Sequence, residues 1–134
     1  MKSKYRIFLN YIDHRGVNLI QRWLSHEVTN KRARIRINEL IRTLEAIEKP
    51  QEQLMKYLKD DGTGLFELRV EVYDVRYRPI GFDGPGENEA TLLIGAIHGR
   101  YGFEPDDAIE IALEMKKEVE NDHERICICR HRFK

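Results

Sequence analysis

Between Leu65 and Ile97 the chain is patterned as an antiparallel meander, and this constrains the fold more than any other feature. Phe66, Leu68, Val70 and Val72 alternate with Glu67, Arg69 and Glu71, the period of a strand with one buried face. A tight turn at Tyr73-Asp74 returns the chain through Val75 to Phe82 as the partner strand. FDGPGEN turns it again into ATLLIGAI, Ala90 to Ile97, almost wholly apolar and therefore expected as the central, best buried strand. Pro79 and Gly81 weaken a ladder, which predicts an edge or a bulge in the second strand of the three.

A sheet of this kind needs helices to cover it, and the flanking sequence supplies them. Tyr5 to Tyr11 reads as a first strand ending in an Asp13-His14-Arg15-Gly16 turn. Val17, Ile20 and Leu24, with Leu19 and Trp23 alongside, have helical spacing. A second helix is marked by Ala33, Ile37, Leu40, Ile41, Leu44 and Ile47, with Lys31, Arg32, Arg34, Arg36 and Arg42 on its other side as the densest cationic surface in the chain. Pro50 breaks that helix or starts a short new one, and QEQLMKYLKDDGTG leads into the meander. Pro105, followed by Asp106 and Asp107, opens a last helix running to about Asn121, its stripe Ala108, Ile111, Ala112, Met115 and Val119 facing the sheet. The order predicts an α+β domain spanning residues 1–134, core about 4–121 and tail 122–134, with helices on one face of a mainly antiparallel sheet of four or five strands.

Composition excludes several classes. A hydrophobic fraction of 41% with 34% charged residues describes a globular protein with a charged surface, not a disordered chain. Apolar runs are far too short for a membrane helix, and MKSKYRIFLNY lacks the apolar centre of a secretory signal, so a cytoplasmic protein is expected. Cys127, Cys129 and His131 form a C-x-C-x-H cluster, readable as a metal half-site or redox pair. A structural zinc site needs four ligands and the sequence has no second such cluster, so the alternating ICICRHRF is expected to pack as a short strand or to fray, with no cofactor. Net charge is zero, yet Met1 to Arg42 carries ten basic and three acidic residues, whereas Gly86 to Arg125 carries four and eleven. Either the fold places these segments on different faces, or helices of opposite charge pack side by side.

Candidate chemistry sits on the open face of the sheet. Arg69, Arg76 and Arg78 can grip phosphate through forked contacts, or pair across the strands with Glu67 and Glu71. The Asp83-Gly84-Pro85-Gly86 loop has neither a following helix nor a lysine and reads as a hairpin connection. At the junction HGRYGFEP, His98 suits proton exchange, Arg100 phosphate neutralisation, and Tyr101 base stacking or proton donation. The alternative is a glycine-flexed loop whose tyrosine packs on the last helix.

Taken together, LFELRVEV, VRYRPIGF, ATLLIGAI and PDDAIEIALEMKKE resemble the phage-related branch of the RelE/HigB toxin family, over roughly Leu54 to Val119. The resemblance implies a RelE/ParE-like α+β fold and the toxin component of a type II toxin–antitoxin system. It implies an RNA-binding, metal-independent endoribonuclease that cleaves mRNA on the ribosome without a cofactor. The implied partners are a helix-turn-helix antitoxin, the ribosome and mRNA; no membrane is involved, and homo-oligomers are compatible with it. Arg78 matches the arginine of the family's Tyr-Arg strand and is the implied phosphate ligand. Arg69 matches the Glu-Leu-Arg position, Arg76 lies beside it as an RNA contact, and Lys56 and Lys59 fall where relatives bind RNA. The expected catalytic set is Arg78, His98, Arg100 and Tyr101. Relatives carry a Lys-Lys pair and further lysine where this chain has His98-Gly99-Arg100-Tyr101. The alternative function is a non-catalytic protein-binding module on the same scaffold, engaging an antitoxin or inhibiting an enzyme such as gyrase.

Overall fold

Two asparagines start the helices of the N-terminal half by the same device. Asn18 and Asn30 each sit in extended backbone and accept the N–H three residues on, from Gln21 and Ala33. They open α1 (Leu19–Arg22), which widens into a π-helical turn over Trp23–Glu27, and α2 (Lys31–Ala46). The computed structural model describes residues 6–58 and 64–133. Its strands are β1 (Ile7–Tyr11), β2 (Met55–Tyr57), β3 (Leu65–Leu68), β4 (Val70–Val72), β5 (Val75–Asp83), β6 (Glu89–Gly99), β7 (Gly102–Glu104) and β8 (Ile128–Arg130). The last helix, α3, spans Ala108–Asn121.

The meander forms as its alternation requires, and β6 lies at the centre. The sheet runs β2-β3-β5-β6-β1-β8, with β4 extending the β3 side of β5 and β7 folding back on β6. Every pairing is antiparallel except β1 with β6, where Phe8 lies beside Ala90 and Asn10 beside Leu92. β5 is interior, and the irregularity signalled by Pro79 and Gly81 is a bulge: Ile80 faces Ile94 but Gly81 faces Leu92. Gly81 also gives Phe66 its seat, since a Cβ there would stand 2.9 Å from the ring and 2.3 Å from the Thr91 carbonyl oxygen. Phe66 thereby meets Phe8 edge-on across the sheet, centroids 6.3 Å apart.

The expectation of helices on one face is corrected. Phe8, Phe66, Leu68, Val70 and Leu92 pack with Ile20, Trp23, Ile37, Ile41 and Leu44 of α1, its π turn and α2. Leu65, Ile80, Phe82 and Leu93 pack on the opposite face with Ala108, Ala112 and Val119 of α3. The physical reason is that Leu65, Ile80 and Phe82 fall on the face that Glu67 and Arg78 had marked as open, and apolar area of that size must leave water. The layering separates the charges: the basic α2 lies over one face and the acidic α3 over the other.

Smaller expectations shift too. The segment after Pro50 forms a turn and then β2, not a helix. Pro105 precedes the last helix by a turn, and Asp107 stands at its N-cap. The tail beyond residue 121 contributes β8, which pairs with β1 through Leu9↔Arg130 and Tyr11↔Ile128. No helix among the described residues is long and apolar enough to cross a membrane.

His131 anchors this tail. It is 2% exposed, with Nδ1 3.0 Å from Asn10 Oδ1 and Nε2 2.8 Å from Asn38 Oδ1. Burial pushes the imidazole down to about 4, against the pull of the Glu45 carboxylate and with the push of Arg130. The folded value lies below the unfolded one, so the unfolded chain binds a proton that the native state refuses. Stability is therefore complete above pH 6.5 and falls as the pH drops from 6.5 to about 4. The loss is on the order of 3 kcal/mol at ~1.4 kcal/mol per pKa unit. Urea unfolding of the protein and of His131→Gln across that range checks this: the difference between their stabilities should change with pH, and parallel curves would refute it.

Candidate functional site

One face of the β3–β5 ladder changes character along its length. Near β3 it presents Leu65, Ile80 and Phe82 to α3; towards the β4–β5 turn the same alternation presents Glu67, Arg69, Glu71, Arg76 and Arg78. The ladder breaks at Arg69, where the register sets Leu68 against Pro79, which has no N–H to give. On its other side the Arg69 N–H donates to the Leu54 carbonyl, 2.9 Å away, which continues the β2–β3 register and ties the residue before β2 to this end of the sheet. Around these side chains lies an open cavity of about 670 Å³, completed by His98 from β6, Arg36 from α2, and Gln53 and Leu54.

The arginines pair across the strands with the two carboxylates. Glu67 Oε2 lies 3.1 Å from Arg69 Nε and 3.5 Å from Arg78 Nε, and Glu71 Oε1 lies 3.7 Å from Arg76 Nε. The pairs nonetheless floor a cavity large enough for a nucleotide-sized group. Arg78 is the fixed member, 7% exposed at the side chain and donating Nη1–H to the Tyr77 carbonyl at 3.0 Å. Burial draws its pKa below the ordinary guanidinium value, and Glu67 works against that shift. Arg76 and Glu71 are 54% and 56% exposed, so their pair is open to solvent and a competing anion can displace the carboxylate. Four guanidinium groups against two carboxylates leave the lining with a cationic excess suited to phosphate.

The predicted residues divide. Arg69, Arg76, Arg78 and His98 come together; the His98 ring stands edge-on to Phe103, centroids 5.6 Å apart. Arg100 and Tyr101 do not line the cavity, so the four residues expected as one catalytic set do not all meet there. β6 continues to Gly99 and hairpins into β7, so this pair rides on the turn tip, with Tyr101 93% exposed and the Arg100 guanidinium 5.7 Å from its ring centroid. Nor does Tyr101 pack on α3. Lys56 lies in β2 opposite Glu67, half-buried and outside the cavity lining. Lys59 lies outside the described residues.

Arg36 could not be placed at the cavity from the sequence. The basic side of α2 was legible, but periodicity along a helix does not say which strand end it approaches. The cysteine cluster is dispersed: His131 is held between Asn10 and Asn38, and Asn18 Nδ2 lies 3.5 Å from Cys129 Sγ. Burial, then the Asp122 carboxylate, push the Cys127 thiol up to about 11, which keeps it protonated at neutral pH. The described residues contain no group of three His, Cys, Asp or Glu side chains placed to hold a metal ion. The chain matches no family model, no curated protein and no solved structure.

Proposed function

We propose that this chain is a RelE/HigB-like toxin: a metal-independent endoribonuclease that cleaves mRNA on the ribosome in the cytoplasm and is held silent by a helix-turn-helix antitoxin. The observation that carries the reading is the cavity itself, where Arg36, Arg69, Arg76 and Arg78 surround a space also lined by His98. In such a reaction the RNA's 2′-oxygen forms a bond to the adjacent phosphorus while the bond to the 5′-oxygen breaks. One proton leaves the 2′-hydroxyl and one is delivered to the departing oxygen. A protein then needs to align the strand, neutralise the equatorial oxygens and move protons. Arg76 and Arg36, exposed at the rim, are assigned to the phosphate. Arg78, locked by Glu67, supplies a fixed positive charge behind it, and His98 moves a proton. Arg100 and Tyr101, outside the cavity, are left to contacts with more distant nucleotides or with the ribosome.

Induction in growing cells, with cut sites mapped on ribosome-bound message, tests this. The unmodified protein should cleave during translation, and His98→Ala at equal soluble expression should lower cleavage at least ~100-fold, the lower range for losing a general acid or base. Arg76→Ala should weaken it with native stability retained. Intact transcripts and normal growth at confirmed soluble expression would sink the nuclease. That result would favour the non-catalytic module, a reading supported by the carboxylate partners of three cavity arginines and by the exposed Arg100–Tyr101 tip.

A further inference from the structure

The β4–β5 turn places an aromatic residue ill-suited to its shape. Tyr73 and Asp74 both hold φ in the left-handed region, 51° and 65°, while Val72 and Val75 pair across them. A two-residue hairpin of this hand favours Asn-Gly or Asp-Gly, and an aromatic side chain there is strained. Strain of this kind collects where function maintains it. Its effect here is display: Tyr73 is 70% exposed, and Arg32 Nη1 stands 3.4 Å from its hydroxyl oxygen. Arg32 lies one helical turn before Arg36, on the same stripe of α2, and Arg36 lines the cavity. The Glu71↔Arg76 rung also lines it, so only about 7 Å of strand, at ~3.3 Å per residue, separates the turn from the cavity rim.

The geometry points to a second subsite continuous with the cavity: Tyr73 is a stacking platform for one base of a single-stranded polynucleotide whose phosphates run from the cavity along Arg36 to Arg32. The subsite rests on the reading of the cavity as a phosphate site and extends it outward along the strand. An exposed aromatic face with a guanidinium beside it matches the alternation of base and phosphate in such a strand. An acidic peptide would engage Arg32 and Arg36 but leave the ring idle, and would give no reason to hold tyrosine in a left-handed turn.

Binding of fluorescent 2′-O-methyl oligonucleotides, which cannot be cleaved through the 2′-oxygen, tests the subsite on the full chain. A dinucleotide fills the cavity alone; an octanucleotide reaches the turn. Tyr73→Asn suits the left-handed backbone, so it should raise the unfolding midpoint while weakening the octanucleotide ~10-fold, within the range for loss of one stacked base. It should leave the dinucleotide unchanged, whereas Arg76→Ala should weaken both. A deoxy octanucleotide should lose affinity by the same factor in Tyr73→Asn, because stacking reads the base face and not the 2′-position. Unchanged octanucleotide binding in Tyr73→Asn, with Arg76→Ala still weakened, overturns the platform and leaves the cavity reading standing. Equal weakening of polyglutamate in Tyr73→Asn also overturns it, since the turn would then read charge alone. No oligonucleotide binding by the unmodified protein overturns both.

Discussion

Replacing Glu67 by alanine is expected to destabilise the protein by about 3–5 kcal/mol, the range for leaving one member of a buried ion pair without its partner. Glu67 and Arg78 are 8% and 7% exposed at their side chains, and the same Glu67 oxygen also faces Arg69 Nε. Its loss leaves the buried Arg78 guanidinium without its paired carboxylate while it still donates to the Tyr77 carbonyl. Arg78→Met in the Glu67→Ala background should recover much of the loss, because an apolar side chain of similar length removes the stranded charge. Denaturant unfolding of the two single variants and the double variant measures this. A Glu67→Ala protein within about 0.5 kcal/mol of the parent, the usual range for surface changes, would mean that Arg78 reaches water and is held only loosely. The expectation bears on function as well. Arg78→Ala confounds unfolding with loss of a phosphate contact, so the exposed Arg76 and the half-buried His98 are the sharper probes of the cavity.

Gly95→Ala is expected to be comparably damaging, by about 3 kcal/mol, the upper end for overpacking a filled core. The added Cβ would stand 1.9 Å from Cδ2 of Trp23, a buried ring 5% exposed, set by the π-helical turn directly on the β6 backbone. Trp23 is also packed edge-on to Tyr77, centroids 6.3 Å apart, which blocks its retreat on that side. The cause can be isolated by repeating the substitution on a Trp23→Leu background, where the smaller side chain leaves room and Gly95→Ala should cost far less. Equal effects on both backgrounds would place the fault in the strand and not in the ring.

Much of the scaffold is legible in the sequence. The meander from Leu65 to Ile97, the central place of β6, the amphipathic α2 and the end of the last helix at Asn121 all follow from periodicity, which reports burial directly when one face of an element is wet. The bulge beside Gly81 was legible for a related reason, since proline and glycine mark where a ladder cannot run evenly. The three-residue strands β2 and β7 were not resolved as sheet members, because so few residues carry no period, whereas the alternation of ICICRHRF allowed the short strand β8. The parallel alignment of β1 with β6 was equally hidden, for residue pattern within a strand does not state direction.

The candidate site divides along the same line. Sequence alone determined that arginines and carboxylates alternate on one strand face, and that α2 carries positive charge and α3 negative, since spacing settles which neighbours share a face. Only the tertiary structure decided that α3 covers half of that face and stops short of Arg76 and Arg78, that Arg36 reaches the same cavity from forty residues away in the chain, and that Arg100 and Tyr101 are carried out on a hairpin tip. Those outcomes depend on how far each helix reaches across the sheet and where each strand turns. Such distances are set by the packing of whole side-chain layers and have no local trace in the chain.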